Sequence, residues 1–582
     1  MTAQGGKILS NSAPTLPELL SPAGSHKALA AALDAGADAV YFGGSAFNAR
    51  INAANFDEGA IVAAIAECHA NGARAYITVN TQLYDRELLP ALKYAAFLYE
   101  SGADALIVAD LGFSALLKRH IPDFELHAST QMTAHSATAA RLLSKYGFSR
   151  MVCARELSES QLRRLCAESP LEIEVFIHGA YCVSVSGQCE FSAMIGRRSG
   201  NRGLCAQPCR MIYNGGYPLS LKDLCLAPHI TKIIDMGAAS LKIEGRMKAP
   251  GYVYGVTSIY RRLLDERRNA TPKEMAELAA LFSRGGFTDG YFTGKVNRSM
   301  LGIRSEADKE SSREAKEALK RTRVSREPLK VEKRPAPEPP EEISPPEYPD
   351  LRDTPKITAE FLSEDQIPQK IRPGVCLVPL DRYEGGADGV LLPPIIADSD
   401  LDSVKGALEA AIARGAKYVS VTNIGQLDWI SEEPYIRKNR VTLLGSFRLN
   451  VFNSETLGEL YKAGLSCCEL SPELNLPQLR DIKGPGRVIV YGRIPLMLCT
   501  KEIGAKELVD RKKAVFPVIG GGCGDIVYNS VVTYMGDRKN ELRKYGLHRF
   551  HFIFSDESRD EAEAILEAYR SGLSADFPIR RI

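Results

Sequence analysis

From Pro17 to about Arg246 the chain alternates short apolar runs of β character with stretches of helical periodicity, and few folds accommodate that rhythm. Eight strand candidates stand in order: Glu18–Ser21, Ala39–Phe42, Ala75–Val79, Ala105–Val108, Glu125–Ala128, Arg150–Cys153, Ile173–Ile177 and Ser240–Ile243. The segments between them, such as His26–Ala35, Gly59–Ala70 and Leu88–Ser101, carry helical patterns that glycines close at Gly36, Gly72 and Gly102. Eight strands alternating with helices over roughly 240 residues predict a TIM-type (β/α)8 barrel of the α/β class. The rival, a doubly wound open sheet, more often carries a glycine-rich phosphate loop after its first strand, and none stands there.

At 582 residues the chain exceeds what one hydrophobic core supports, so two or three domains are expected. Residues 305–334 are charged and end in a basic run, and eight of the 21 residues from Pro335 to Pro355 are proline. That composition reads as an extended, semi-rigid linker. The expected division is a barrel over 1–300, a linker over 301–355 and a second unit over 356–582. The second unit echoes the first: the run from Gly415 aligns with that from Gly102, 313 positions earlier, and Leu444 with Leu126, 318 earlier. Glu473 likewise follows Glu156, and Val490-Tyr-Gly follows Ile177-His-Gly. Ordered blocks at near-constant offset predict a degenerate second α/β barrel-like repeat that serves binding or stability.

Composition is ordinary for a globular protein, 45% hydrophobic and 25% charged, and a formal net charge of +2 excludes a bulk field for nucleic acid while leaving room for a basic patch. No apolar run approaches the ~20 residues that cross a bilayer. The opening residues lack a basic segment leading into an apolar stretch, so no secretory signal is expected and the cytosol is the expected compartment.

Thirteen cysteines are too few for a disulfide scaffold at this length. Five of them, Cys182, Cys189, Cys205, Cys209 and Cys225, fall within 44 residues, where scatter would put about one. The spacing Cys-x6-Cys-x15-Cys-x3-Cys can hold a [4Fe–4S] cluster or a structural zinc, or leave the thiols unligated. Zinc sites usually pair their thiolates tightly, and only Cys205 and Cys209 are so paired. The wide gap between Cys182 and Cys189 suits a cluster in an irregular loop. A radical S-adenosylmethionine triplet fails, because position 212 is Ile. Cys225 reads as a core thiol, with a ligand role as the alternative.

The segment Glu174–Ser192 resembles the signature of the peptidase U32 family, with Glu174, Phe176, Gly179, Ala180, Cys182, Gly187, Cys189 and Ser192 in their expected places. Tyr181 and Phe191 depart from its aliphatic pattern but remain bulky and apolar. Further matches are Pro17–Gly24, Gly36–Tyr41, Asn201–Gly203, Leu219–Leu224 and Leu241–Arg246, so the resemblance spans residues 15–270. It implies one of two activities. Some members are named for collagenase-type proteolysis. Others are iron–sulfur proteins that install hydroxyl groups without molecular oxygen on tRNA, 23S rRNA or ubiquinone precursors, with prephenate implicated as oxygen source. In those relatives four cysteines hold the cluster, and they correspond here to Cys182, Cys189, Cys205 and Cys209. Such a protein would need iron–sulfur assembly machinery as a partner. The residues argue against proteolysis, since neither a His-Glu-x-x-His motif nor a Gly-x-Ser-x-Gly elbow occurs. A zinc-stabilised binding protein is the third reading.

Barrel enzymes place chemistry at the C-terminal ends of strands. The polar residues expected there are Asn80, Asp110, His127, Arg155, Glu156, His178, Lys242, Glu244 and Arg246. His127, His178 and Glu156 are the acid–base candidates, each histidine with a structural alternative. Arg155, Lys242 and Arg246, with Glu244, Asn80 and Asp110, are the candidates for binding a dicarboxylate such as prephenate, ion pairs closing the barrel mouth being the alternative. The loop Ile195–Gly203 carries Arg197, Arg198 and Arg202, which can receive an RNA backbone or offset the charge of a four-thiolate cluster.

Overall fold

The computed structural model describes residues 16–317, 321–331, 334–348, 354–572 and 579–580. The opening residues 1–15, on which the absence of a secretory signal was read, lie outside them, as do parts of the charged and proline-rich stretch. All eight strand candidates form: Glu18–Pro22, Ala39–Phe42, Arg74–Val79, Ala105–Val108, Glu125–Ala128, Phe148–Val152, Glu172–Gly179 and Ser240–Ile243. Each pairs in parallel with its neighbour, and the last pairs with both the first and the seventh, which closes the barrel. Their near-continuous burial follows from helices covering the outside. Side-chain caps start those helices, as at Ser25, Asp57 and Ser136, and Ser158 adds a capping box with Gln161.

The second unit is a complete barrel too. Ile357–Glu360, Val375–Pro379, Gly389–Leu391, Tyr418–Val421, Thr442–Gly445, Cys467–Glu469, Gly486–Gly492 and Arg549–Ile553 pair in parallel and close in the same way. Both barrels close over a glycine at the end of the seventh strand. Gly179 and Gly492 have φ of 110° and 138°, and a Cβ on either would run into the backbone carbonyl of Glu244 or Ile553 beside the eighth strand. Both then add a short antiparallel strand outside the seventh, Asp223–Cys225 in one and Val532–Tyr534 in the other.

Each barrel carries an insertion in that slot. In the first it is the cysteine-bearing loop 180–222. In the second it is a four-stranded antiparallel sheet built from Pro495–Cys499, Glu507–Val509, Val515–Gly521 and Gly524–Tyr528. Sequence periodicity had not set this sheet apart from a second round of alternation.

The barrels meet mouth to mouth. Asn423 Nδ2 donates to Thr133 O (3.1 Å), Asn450 Nδ2 to Gly187 O (3.2 Å) and Asn201 Nδ2 to Glu473 Oε1 (3.0 Å), all from segments that follow strand C-termini. The described residues 321–331 of the linker lie as a strap against the first barrel. Val324 N bonds Asp34 O, Arg326 pairs with Asp38 at 2.7 Å, and Leu329 N bonds His69 O, so it crosses the helix-closing glycines at the base of the first barrel. Among the described residues no helix is long and apolar enough to cross a membrane.

Candidate active site at the first barrel's mouth

Inside a barrel strand, alternate residues face the lumen. That parity decides several candidates. Lys242 points inward, where its Nζ meets the buried carboxylate of Glu174 at 2.7 Å and sits 4.4 Å from the Tyr41 ring centroid. Arg150 joins the same luminal network, 2.6 Å from Glu18 and 3.4 Å from Glu174. Burial works to raise the Glu174 carboxyl, but Lys242 and Arg150 outweigh it and hold it low. Lys242 is therefore a structural charge in the lumen instead of a substrate contact at the rim. His127 is also luminal and fully buried, with Nε2 2.9 Å from Glu125 Oε1 and its ring edge-on to Tyr76.

His178 faces the opposite way. The strand bulges between Phe176 and His178, and the imidazole packs against Tyr252, Tyr260 and Phe287 outside the barrel. Burial and the nearby Lys248 charge push its pKa down to about 3, so it is a neutral core histidine near neutral pH. Neither histidine reaches the mouth, which corrects both as acid–base candidates. Asp110 is corrected as well. It caps helix Leu111–His120 through Phe113 N at 2.9 Å, and accepts from Leu83 N, Asn453 Nδ2 and Thr456 Oγ1 at 3.0, 2.7 and 3.0 Å. It joins the two barrels.

Arg246, Glu244, Arg155, Glu156 and Asn80 do stand at the mouth. Arg246 is buried and held by Thr78 Oγ1 (3.0 Å), Asn48 Oδ1 (2.9 Å) and Asn55 Oδ1 (3.1 Å), with Nε unpartnered. Gly43 leaves room for it, since a Cβ there would lie 2.6 Å from its terminal nitrogen. Burial and the Arg50 charge lower its pKa to about 10, against the pull of Tyr41 and Glu244. Glu244 sits 3.5 Å from Arg50; burial would raise its carboxyl, but Arg50, Arg155 and Arg246 keep it low. Glu156 differs. Its Oε1 accepts from Ser186 N and Oγ at 3.1 and 3.2 Å, its Oε2 is buried without a partner, and burial pushes its carboxyl up. Arg155 Nε reaches Ser186 Oγ at 3.3 Å. Asn80 Oδ1 accepts from Ala49 N at 3.0 Å.

Arg50 and Asn48 escaped the sequence reading. Both follow the second strand in a stretch without periodicity. The only available signal was an Asn-Ala-Arg run at a strand's C-terminal side.

The four cysteines share one loop beside this cationic wall. Cys205 is exposed, and Cys182, Cys189 and Cys209 are half-buried. Burial raises the Cys189, Cys205 and Cys209 thiols, and each is raised further by the charge of Cys182. Arg50 and Arg198 oppose this at Cys205, and Arg210 at Cys209. Among the described residues no three His, Cys, Asp or Glu side chains converge closely enough to hold one metal ion. Tetrahedral zinc, ~2.3 Å from each sulfur, brings its thiolates within about 3.8 Å of one another. A four-iron cube takes one thiolate at each corner and spreads them wider. The donor set, four thiols on one loop close enough to influence one another's charge, with arginines on its flanks, fits the larger group. Cys225 lies in the core, its Sγ 3.6 Å from Tyr260 Oη.

Of the three loop arginines, Arg202 is locked to Glu87 at 2.7 and 2.8 Å and stacks over Tyr84, so it is not available to a phosphate. Arg197 and Arg198 are exposed at the rim.

A model of peptidase family U32 matches residues 24–301. A 23S rRNA 5-hydroxycytidine C2501 synthase from Escherichia coli K12 is 41% identical over 293 residues, 48% of this chain and 43% of that protein. The tRNA hydroxylation protein P1 from Bacillus subtilis is 36% identical, over 43% of this chain and 63% of its own length. The chain thus spans less than two thirds of either relative. A collagenase from Porphyromonas gingivalis is 35% identical over 309 residues, 48% of this chain and 74% of that protein. The chain belongs to peptidase family U32.

Proposed function

We propose that this chain hydroxylates a nucleobase in RNA, 23S rRNA or tRNA, in an oxygen-independent, iron–sulfur-dependent reaction in the cytosol, with prephenate as oxygen donor. The observation that carries this reading is the four-thiol loop at the barrel mouth, directly beside a cationic pocket. Its likeness to an rRNA hydroxycytidine synthase and a tRNA hydroxylation protein supports RNA as substrate. Cys182, Cys189, Cys205 and Cys209 would hold the cluster, which supplies one-electron chemistry when bound.

The chain's own residues do the remaining work. Arg246, positioned by Asn48 and Thr78 with its Nε unpartnered, and Arg50 bring two guanidinium charges to the two carboxylates of a small dicarboxylate. Glu244 stays ionised and fixes Arg50. Glu156, its carboxyl raised by burial and its Oε2 unpartnered within the mouth, stands where an acid would serve a leaving oxygen. The exposed side of Cys205, with Arg197 and Arg198 beside it, is the open approach for an RNA strand.

The peptidase reading rests on the collagenase relative. Its weakness is geometric: the loop serines Ser184, Ser186 and Ser192 bond to Gln188 O, Glu156 and Ala206 N, and none of these bonds involves a histidine. Mass spectrometry of rRNA and tRNA from a deletion strain, complemented with wild type or Cys205→Ala, tests the proposal. A hydroxylated base lost on deletion and restored only by wild type is expected. An unchanged set of modified bases contradicts it.

A further inference from the structure

The slot after the seventh strand holds the cysteine loop in one barrel and an antiparallel sheet in the other, and these two insertions grip each other. Glu190 N donates to Leu496 O at 2.8 Å, Cys189 bridges Met497 in antiparallel fashion, and Val185 N donates to Leu498 O at 2.7 Å. The strand Pro495–Cys499 thus lies along the cysteine loop as an added strand. Its last residue is Cys499, whose thiol is fully buried and makes no hydrogen bond among the described residues. Walking back along the pairing, Cys499 falls opposite the loop segment that leads to Cys182. Gly524, on the neighbouring strand, has φ of 117° and no room for a Cβ against the Cys499 carbonyl, so this corner is tightly built.

We infer that Cys499 is a positioning residue of the first barrel's cofactor chamber: the second barrel supplies a fifth thiol that packs against the loop segment leading to Cys182 and tunes the cluster without ligating it. The inference rests on the four-thiolate reading above. The physical basis is that hydrogen bonding and burial around ligating sulfurs set the reduction potential of an iron–sulfur centre, because donors stabilise its more negative, reduced form.

The test uses the full chain, purified anaerobically, as wild type, Cys499→Ala, Cys499→Ser and, as a control for loss of a buried thiol elsewhere, Cys376→Ala. Iron and sulfide content and a redox titration followed by electron paramagnetic resonance are the readouts. All four proteins are expected to carry the same iron and sulfide. Cys499→Ala is expected to shift the midpoint to more negative potential and alter the reduced-state spectrum, Cys499→Ser to recover most of the shift, and Cys376→Ala to leave both unchanged. An unshifted midpoint in Cys499→Ala overturns the inference alone, as does loss of iron in that variant, which would make Cys499 a ligand. Wild type without iron removes the four-thiolate reading and this inference with it.

Discussion

At the closure of the first barrel, the seventh strand carries Glu174 and the eighth Lys242; at the same register the second barrel carries Arg487 and His551. The acid has moved one strand over, to Glu469, which pairs with Arg487 at 3.2 Å and lies 3.5 Å from His551. Glu469 occupies the register that Val152 fills in the first barrel. Each lumen is therefore neutralised, by different residues on different strands. Balance of charge in the barrel interior has been kept, while the individual residues have not. The mouths diverged further. The first has Arg50, Arg246 and Glu244 beside four thiols. Arg448 at the second mouth instead reaches across to Gln188 of the cysteine loop, 3.3 Å away. One barrel bears the four thiols, and the other helps hold the loop that carries them.

This comparison can be broken at its strongest point. Glu174→Gln leaves Lys242 buried without its counter-charge and is expected to destabilise the protein by about 3–5 kcal/mol. Adding Lys242→Met should return much of that loss, and Glu469→Gln should reproduce the effect in the second barrel; chemical denaturation reads all three. Next come the two closing glycines. Gly179→Ala and Gly492→Ala each meet a left-handed φ and a backbone carbonyl, and each should cost about 3 kcal/mol by the same measurement. A large effect at one and none at the other would show that the closures are not equivalent.

The joint between the barrels should matter less. Asp110→Ala removes a helix cap and unpairs donors from both halves, an expected loss of about 2 kcal/mol, together with faster hydrogen exchange at 453–456. The pH effect is the smallest near neutral pH and grows with acid. His178, at about 3 in the folded chain, has a pKa near 6.5 when unfolded, so between those values only the unfolded state binds its proton. Stability attributable to it is full above pH ~6.5 and falls as pH drops toward 3, by up to ~1.4 kcal/mol per unit. His178→Phe should flatten that slope. In the second barrel His551, at about 4, acts in the same sense while Glu360, raised to about 7, opposes it, so replacing both should change the slope little.

Much of the fold was legible because alternation and helix-closing glycines are local signals. All eight first-barrel strands stand where their β-branched and aromatic runs lie, and the repeat offsets align Val490–Gly492 with Ile177–Gly179 at the same closure. Direction was harder to read. Lys242 sits at a strand's end, but the period of two that it shares with Ser240 turns it into the lumen. Asp110 precedes an apolar helix and is a helix cap by that token; only its partners Asn453 and Thr456, more than 340 positions away, reveal the joint. The sheet 495–528 was missed because an insertion inherits its place from the barrel and not from any pattern of its own.

The central claim is that the first barrel alone gathers a cluster-binding set of thiols. Iron, sulfide and zinc measured on anaerobically purified wild type, Cys182→Ala and Cys205→Ala test it most directly. About four irons and four sulfides per chain in wild type, lost in both variants, is the result expected. One zinc without iron, or no metal at all, would contradict it.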